Sequence, residues 1–151
     1  MMISTIFKGM GSTTSGIDIE YIDSVDGRRK YCQIKAGPNT INSDDVTTIL
    51  NHFNGVRRLA RTNHLNININ DMVVGVIYGS TEDLSGHYRR IANTYPVIVG
   101  GDFWHRLTGD MGFYNDLISA FGQAAQEVDS RMALEAAIQL LANEISESDI
   151  F

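Results

Sequence analysis

Two carboxylates, an amide and an ammonium stand at spacings that suit hydrolytic metal chemistry: Asp18 and Glu20, two residues apart, then Gln33 and Lys35, again two apart. Side chains at i and i+2 share one face of a strand, so each pair would present its groups side by side. Hard oxygen donors arranged this way suit Mg²⁺ held partly by protein and partly by water and phosphate. A lysine on the same face can orient or deprotonate a water, or neutralise charge that develops during attack. The same pattern also describes the solvated face of an edge hairpin with one surface ion pair, and spacing alone does not separate the two.

The neighbouring residues predict the strands that would carry these groups. Ile17, Ile19 and Tyr21 alternate with Asp18 and Glu20, and Cys32, Ile34 and Ala36 alternate with Tyr31, Gln33 and Lys35. Asp26-Gly27 between them is a turn signal. An antiparallel hairpin with Asp18 opposite Lys35 and Glu20 opposite Gln33 would gather the polar groups on one patch.

Asp18 followed one strand later by Gln33-Ile34-Lys35 resembles the active-site signature of the PD-(D/E)xK nucleases, with Gln in the place usually taken by Asp or Glu. More narrowly, Gly16-Ile17-Asp18-Ile19-Glu20 and Gln33-Ile34-Lys35-Ala36-Gly37-Pro38-Asn39 resemble a subgroup of type II restriction endonucleases. Gly100-Gly101-Asp102-Phe103-Trp104, with Thr108-Gly109-Asp110 and Tyr114, is similar to a later segment of that subgroup. The likeness runs in order over residues 12–121. It implies a restriction-endonuclease-like α/β fold, a mixed sheet flanked by helices. It also implies Asp18 as central metal ligand, the Gln33 amide oxygen and the Ile34 main-chain carbonyl as further ligands, and Lys35 as the residue assisting the water. Glu20 is a candidate extra ligand. The ion implied is Mg²⁺, with Mn²⁺ as a substitute, and the substrate is double-stranded DNA. The helix that ordinarily precedes these strands has no room in the sequence ahead of Gly16, so the first core helix is expected to be missing.

Beyond Gly37-Pro38-Asn39 the spacing predicts a helix capped by Ser43, with Asp44 and Asp45 in its first turn. Val46, Ile49, Leu50, Phe53, Val56 and Ala60 form its apolar stripe, and Thr47, Asn51, Asn54 and Arg58 the opposite face. Residues 65–70 read as a polar-faced extended stretch. Residues 72–78 and 95–100 read as buried strands, and residues 84–94 as a polar loop or short helix. Asp102 reads as a helix cap, His105 as a surface or capping residue, and Phe103, Trp104 and Leu107 as core. Leu117, Ile118, Phe121, Ala125 and Val128 predict one amphipathic helix. Residues 132–145 predict another, apolar nearly all round, whose burial calls for a second subunit. Twofold symmetry suits an enzyme that cuts both strands of a palindrome, so a homodimer is expected.

The chain has 151 residues, enough for one domain with a real core. Residues 1–151 are read as a single nuclease-like domain: 1–15 a leader and loop, 16–110 the catalytic core, 111–151 a helical part for dimerisation. The single cysteine, Cys32, excludes an intramolecular disulfide and suits a small buried hydrophobe. No signal peptide and no apolar run of membrane-spanning length is present, so the expected location is cytoplasmic. The net charge of −6 is unevenly spread. Residues 1–110 balance eleven Lys/Arg against eleven Asp/Glu, and residues 111–151 carry one Arg against seven acids. Phosphate contact needs local positive potential rather than a basic whole. Positive charge gathers at Arg28, Arg29 and Lys30, at Arg57, Arg58 and Arg61, and at Arg89 and Arg90. Asn39, Asn42, Arg58, Arg61, Arg89 and Arg90 are the DNA-contact candidates. Two other readings remain: a structure-specific or methylation-dependent nuclease, and a catalytically silent DNA-binding or assembly domain on the same fold.

Overall fold

The computed structural model describes residues 10–125. The expectations for residues 1–9, for Val128 and for the apolar helix at 132–145 fall outside them. Four strands form one mixed sheet in the order β1 (Ile19–Ile22), β2 (Arg29–Lys35), β3 (Met72–Val76), β4 (Val97–Val99). The β1–β2 pair is antiparallel, and β2–β3 and β3–β4 are parallel. Parallel neighbours need crossovers, and helices supply them. α1 (Ser43–Thr62) links β2 to β3, and α2 (Gly86–Ala92) links β3 to β4. α3 (Gly101–Thr108) and α4 (Phe113–Ala125) follow. None of the described helices is long and apolar enough to cross a membrane.

The sheet is covered on both sides. On one, Ile19, Tyr21, Cys32, Val73, Ile77 and Ile98 pack against Phe103, Trp104 and Leu107 of α3 and Leu117 of α4. On the other, Met72, Val74, Val76 and Val99 meet Val46, Ile49, Phe53 and Val56 of α1 and Tyr88 and Ile91 of α2. β3 is buried along its whole length, as a parallel strand between two helical layers must be. Gly75 lets α3 come close: a Cβ there would stand 2.4 Å from the Phe103 ring. The expected mixed α/β sheet with helices on its faces is therefore what the chain forms.

Several local expectations are corrected. The hairpin register is Ile19 opposite Cys32 and Glu20 opposite Tyr31, which brings Asp18 level with Gln33 rather than Lys35. The turn itself falls where Asp26-Gly27 signals it, with Gly27 at φ +72° and the loop closed between Asp23 and Arg28, and Asp23 is buried. Its carboxylate accepts the Val25 amide at 2.8 Å and Arg106 of α3 at 3.1 Å. A slip of two residues leaves every side chain on its expected face, so the polar patch survives the shift. Ile17 does move: Gly16, at φ +80°, turns the chain, and Ile17 packs with the α1 layer instead of joining Ile19 and Tyr21. Residues 10–12 are not simply loop. Glu20 donates its amide to the Met10 carbonyl and Gly11 bridges to Ile19, so this segment shields the β1 edge.

Asn42, not Ser43, caps α1: its side chain accepts the Asp45 amide at 2.9 Å while the Asp45 carboxylate accepts the Asn42 amide at 2.8 Å. Gly100, not Asp102, starts α3, and Asp102 stands in its first turn hydrogen-bonded to Arg106. The stretch before β3 is not extended throughout. Asn68 and Asp71 close a short 3-10 turn at Ile69–Asp71, an exchange that short polar side chains favour.

Asp71 ties that turn to the hairpin. It is 2 % exposed and accepts Arg28 through two nitrogens at 2.8 and 2.6 Å, with the buried Lys30 ammonium at 3.7 Å. Removing an acid from such a site leaves a buried cation less compensated, at a cost of ~2–4 kcal/mol. Asp71→Ala is expected to lower the urea midpoint by that free energy divided by the slope, with the slope itself unchanged. The Arg28 hydrogen bonds hold the Asp71 carboxyl below its ordinary value of 3.8. Its contribution is therefore complete above that value and lost as pH falls below it, so wild type and variant should converge in acid.

Candidate active site

The chemistry-bearing face of β2 looks towards α1. Cys32, Ile34 and Ala36 serve the opposite core, and alternation turns Tyr31, Gln33 and Lys35 to the helix. Asp18 reaches this junction from the first strand. Its amide donates to the Cys32 carbonyl at 2.9 Å, and its Oδ2 accepts the Ile34 amide at 2.8 Å. Burial raises the Asp18 pKa, partly offset by the Ile34 N–H, by Lys35 and by His52. The aspartate thus sits within electrostatic reach of both cationic or protonatable neighbours.

Gln33 is 5 % exposed and fully engaged through its nitrogen. Nε2 lies 2.6 Å from the Gly16 carbonyl and 2.9 Å from His52 Nδ1 on α1. Among the described residues nothing donates to its Oε1. Lys35 is half-buried and pairs with no acid among the described residues. Its own carbonyl accepts the Ile77 amide at 3.0 Å, which fixes the end of β2 to the end of β3.

Glu20 is drawn into other contacts. Its two oxygens accept Arg29 at 2.8 Å and the Ser12 hydroxyl at 2.5 Å, which ties the side chain to the hairpin and the segment beside it. Asn42 likewise uses its amide oxygen in the α1 cap. Asn39 is exposed where the chain leaves β2.

The cationic groups divide into two kinds. Arg28, Arg29 and Lys30, grouped in sequence, are each neutralised by Asp71, Glu20 and Asp26 respectively. Arg57, Arg58 and Arg61 on α1 and Arg89 and Arg90 on α2 have no such partner among the described residues, and all but Arg57 are exposed. An open pocket of about 270 Å³ beside α3 is lined by Asp102, His105, Met111 and Tyr114, on the sheet face away from Asp18. It shares no residue with the Asp18 group.

Two participants were missed in the sequence: His52 and the carbonyl of Gly16. His52 borders the apolar stripe of α1 rather than standing within it, and a titratable side chain at the flank of a crossover helix is the signal that could have found it. Gly16 is required by the contact, since a Cβ there would stand 2.4 Å from the His52 ring.

An ionised carboxylate held partly out of water is a cost that an isosteric amide avoids. Asp18→Asn keeps an acceptor for the Ile34 amide. In metal-free buffer it should raise the melting temperature by about 2–4 °C for each kcal/mol recovered. Because the folded-state pKa is raised, the penalty exists above the ordinary carboxylate value and disappears as pH falls through it. The gap between the two proteins should therefore close in acid, as read by calorimetry.

A search of curated proteins returns no match to the chain. The family model described as type II restriction endonuclease EcoO109I matches residues 1–129. That span takes in the hairpin, both crossovers and all four described helices, so the chain belongs to the EcoO109I family of type II restriction endonucleases, enzymes that cut DNA.

Proposed function

We propose that the chain cleaves double-stranded DNA in a Mg²⁺-dependent reaction of the PD-(D/E)xK type, with Mn²⁺ able to substitute, acting as a single domain that pairs with a second copy. The observation that carries this reading is the hydrogen bond of the Asp18 carboxylate to the Ile34 amide at 2.8 Å, between Gln33 and Lys35 on β2. The donor chemistry fits a hard cation. The Asp18 carboxylate, Gln33 Oε1 and the Ile34 main-chain carbonyl are oxygens, and the Ile34 N–H holds the Asp18 carboxylate beside them. These three groups would hold the ion, which when bound supplies positive charge to the scissile phosphate and to the attacking water.

The chain's own residues do the rest. The Ile34 amide fixes the Asp18 carboxylate, leaving Oδ1 for other partners. Lys35 places an ammonium near that carboxylate, where it can orient a water and offset charge on the phosphate. The exposed arginines Arg58, Arg61, Arg89 and Arg90, with Asn39, offer phosphate contacts along the helical layer above the site. Glu20 stays the candidate extra ligand, since each of its oxygens accepts one hydrogen bond and keeps a further lone pair. The silent-domain reading draws on one observation: no three His, Cys, Asp or Glu side chains converge among the described residues.

A plasmid digest separates the two. Mg²⁺ is expected to yield discrete fragments, chelation to abolish them, and Lys35→Ala to slow cutting about 10²–10⁴-fold at unchanged melting temperature. Retention of DNA without cutting in Mg²⁺ or Mn²⁺ would establish the silent reading.

A further inference from the structure

We infer that His52 is a positioning residue that sets the Gln33 amide so that its oxygen, not its nitrogen, is left for a cation. The inference rests on the metal-site reading above and names what a glutamine at this position needs. A carboxylate has two equivalent oxygens and no wrong orientation. An amide has one, since turning it over offers a cation two N–H donors and no lone pair.

The surroundings of Gln33 remove that ambiguity. The Gly16 carbonyl, 2.6 Å from Nε2, can only accept, so the atom facing it must carry hydrogen. The second amide hydrogen meets His52 Nδ1 at 2.9 Å, an acceptor when the ring proton sits on Nε2. With both hydrogens used, Oε1 receives no donor among the described residues. At 5 % exposure the side chain has little water with which to trade these partners. Gly16 makes the arrangement possible, because its φ of +80° and missing Cβ give the imidazole the space it fills. Outer partners of this kind typically change metal affinity 10–100-fold when removed.

Mn²⁺ binding to the full chain without DNA tests this, read by calorimetry alongside melting temperature. His52→Leu, which keeps bulk and loses the acceptor, should weaken binding about tenfold or more. His52→Asn, whose Oδ1 can stand where Nδ1 stood, should remain within about threefold of wild type. Gln33→Glu should bind no tighter than wild type, because a carboxylate oxygen would face the Gly16 carbonyl. Equal binding by the two His52 variants, or a gain in Gln33→Glu, overturns the role of His52 while leaving the metal site standing if Asp18→Asn still loses binding. Equal behaviour of wild type and Asp18→Asn overturns the metal reading, and this inference with it. A ¹⁵N spectrum of the imidazole gives a metal-free readout: an unprotonated Nδ1 is expected, and a proton there overturns the inference.

Discussion

Strand β2 has no idle side. One edge pairs with β1, the other with β3, and its Cys32 and Ile34 face serves the α3–α4 core. Only the face towards α1 is left for polar chemistry, and it lies beneath a helix rather than in open water. That constraint explains the character of the site. Polar groups placed there must find partners within the protein, and the helix that closes the layer supplies one as His52. The stripe that buries Ile49, Phe53 and Val56 therefore also sets the height at which His52 meets Gln33.

The same economy governs charge. The first cationic group is spent on holding the hairpin and the turn before β3, through Asp71, Glu20 and Asp26. The arginines of α1 and α2 make no comparable pairs among the described residues. A chain acidic in sum thus carries available positive charge on one helical layer, the layer under which Asp18 and Lys35 lie. Local potential, not net charge, decides what an anionic polymer meets.

Much of this was legible because it is periodic. Alternation around Cys32 and Gln33 gave the two faces of β2, and the α1 stripe from Val46 to Ala60 is buried as spaced. What escaped was set by contacts between distant residues. The turn signal placed the hairpin's loop but not its register, and the Asp23 contact with Arg106, more than eighty positions away, is one that no local signal encodes. Asn42 displaced Ser43 as cap because Asp45 could answer it reciprocally, a choice between neighbours that composition alone leaves open. Of the candidate site, Asp18, Gln33 and Lys35 were singled out by their spacing and their resemblance to a known signature, and the structure ties Asp18 to the Ile34 amide between the other two. Glu20 shares the spacing and is also tied to Arg29 and Ser12, and His52 entered only through the packing of α1 on the sheet.

Replacing an acid by Gln33 changes the electrostatics of the group as well as its ligands. On the proposed reading, Asp18 and Lys35 sum to no net charge, so a phosphate can approach without opposing a carboxylate in the place of Gln33. The protein alone then attracts a divalent ion less strongly, and phosphate oxygens must make up part of the attraction. Metal and DNA binding become linked, each strengthening the other by the same factor. A site that gathers its ion fully only with its substrate present holds its strongest charge stabilisation in reserve for the complex, where it lowers the barrier to cleavage.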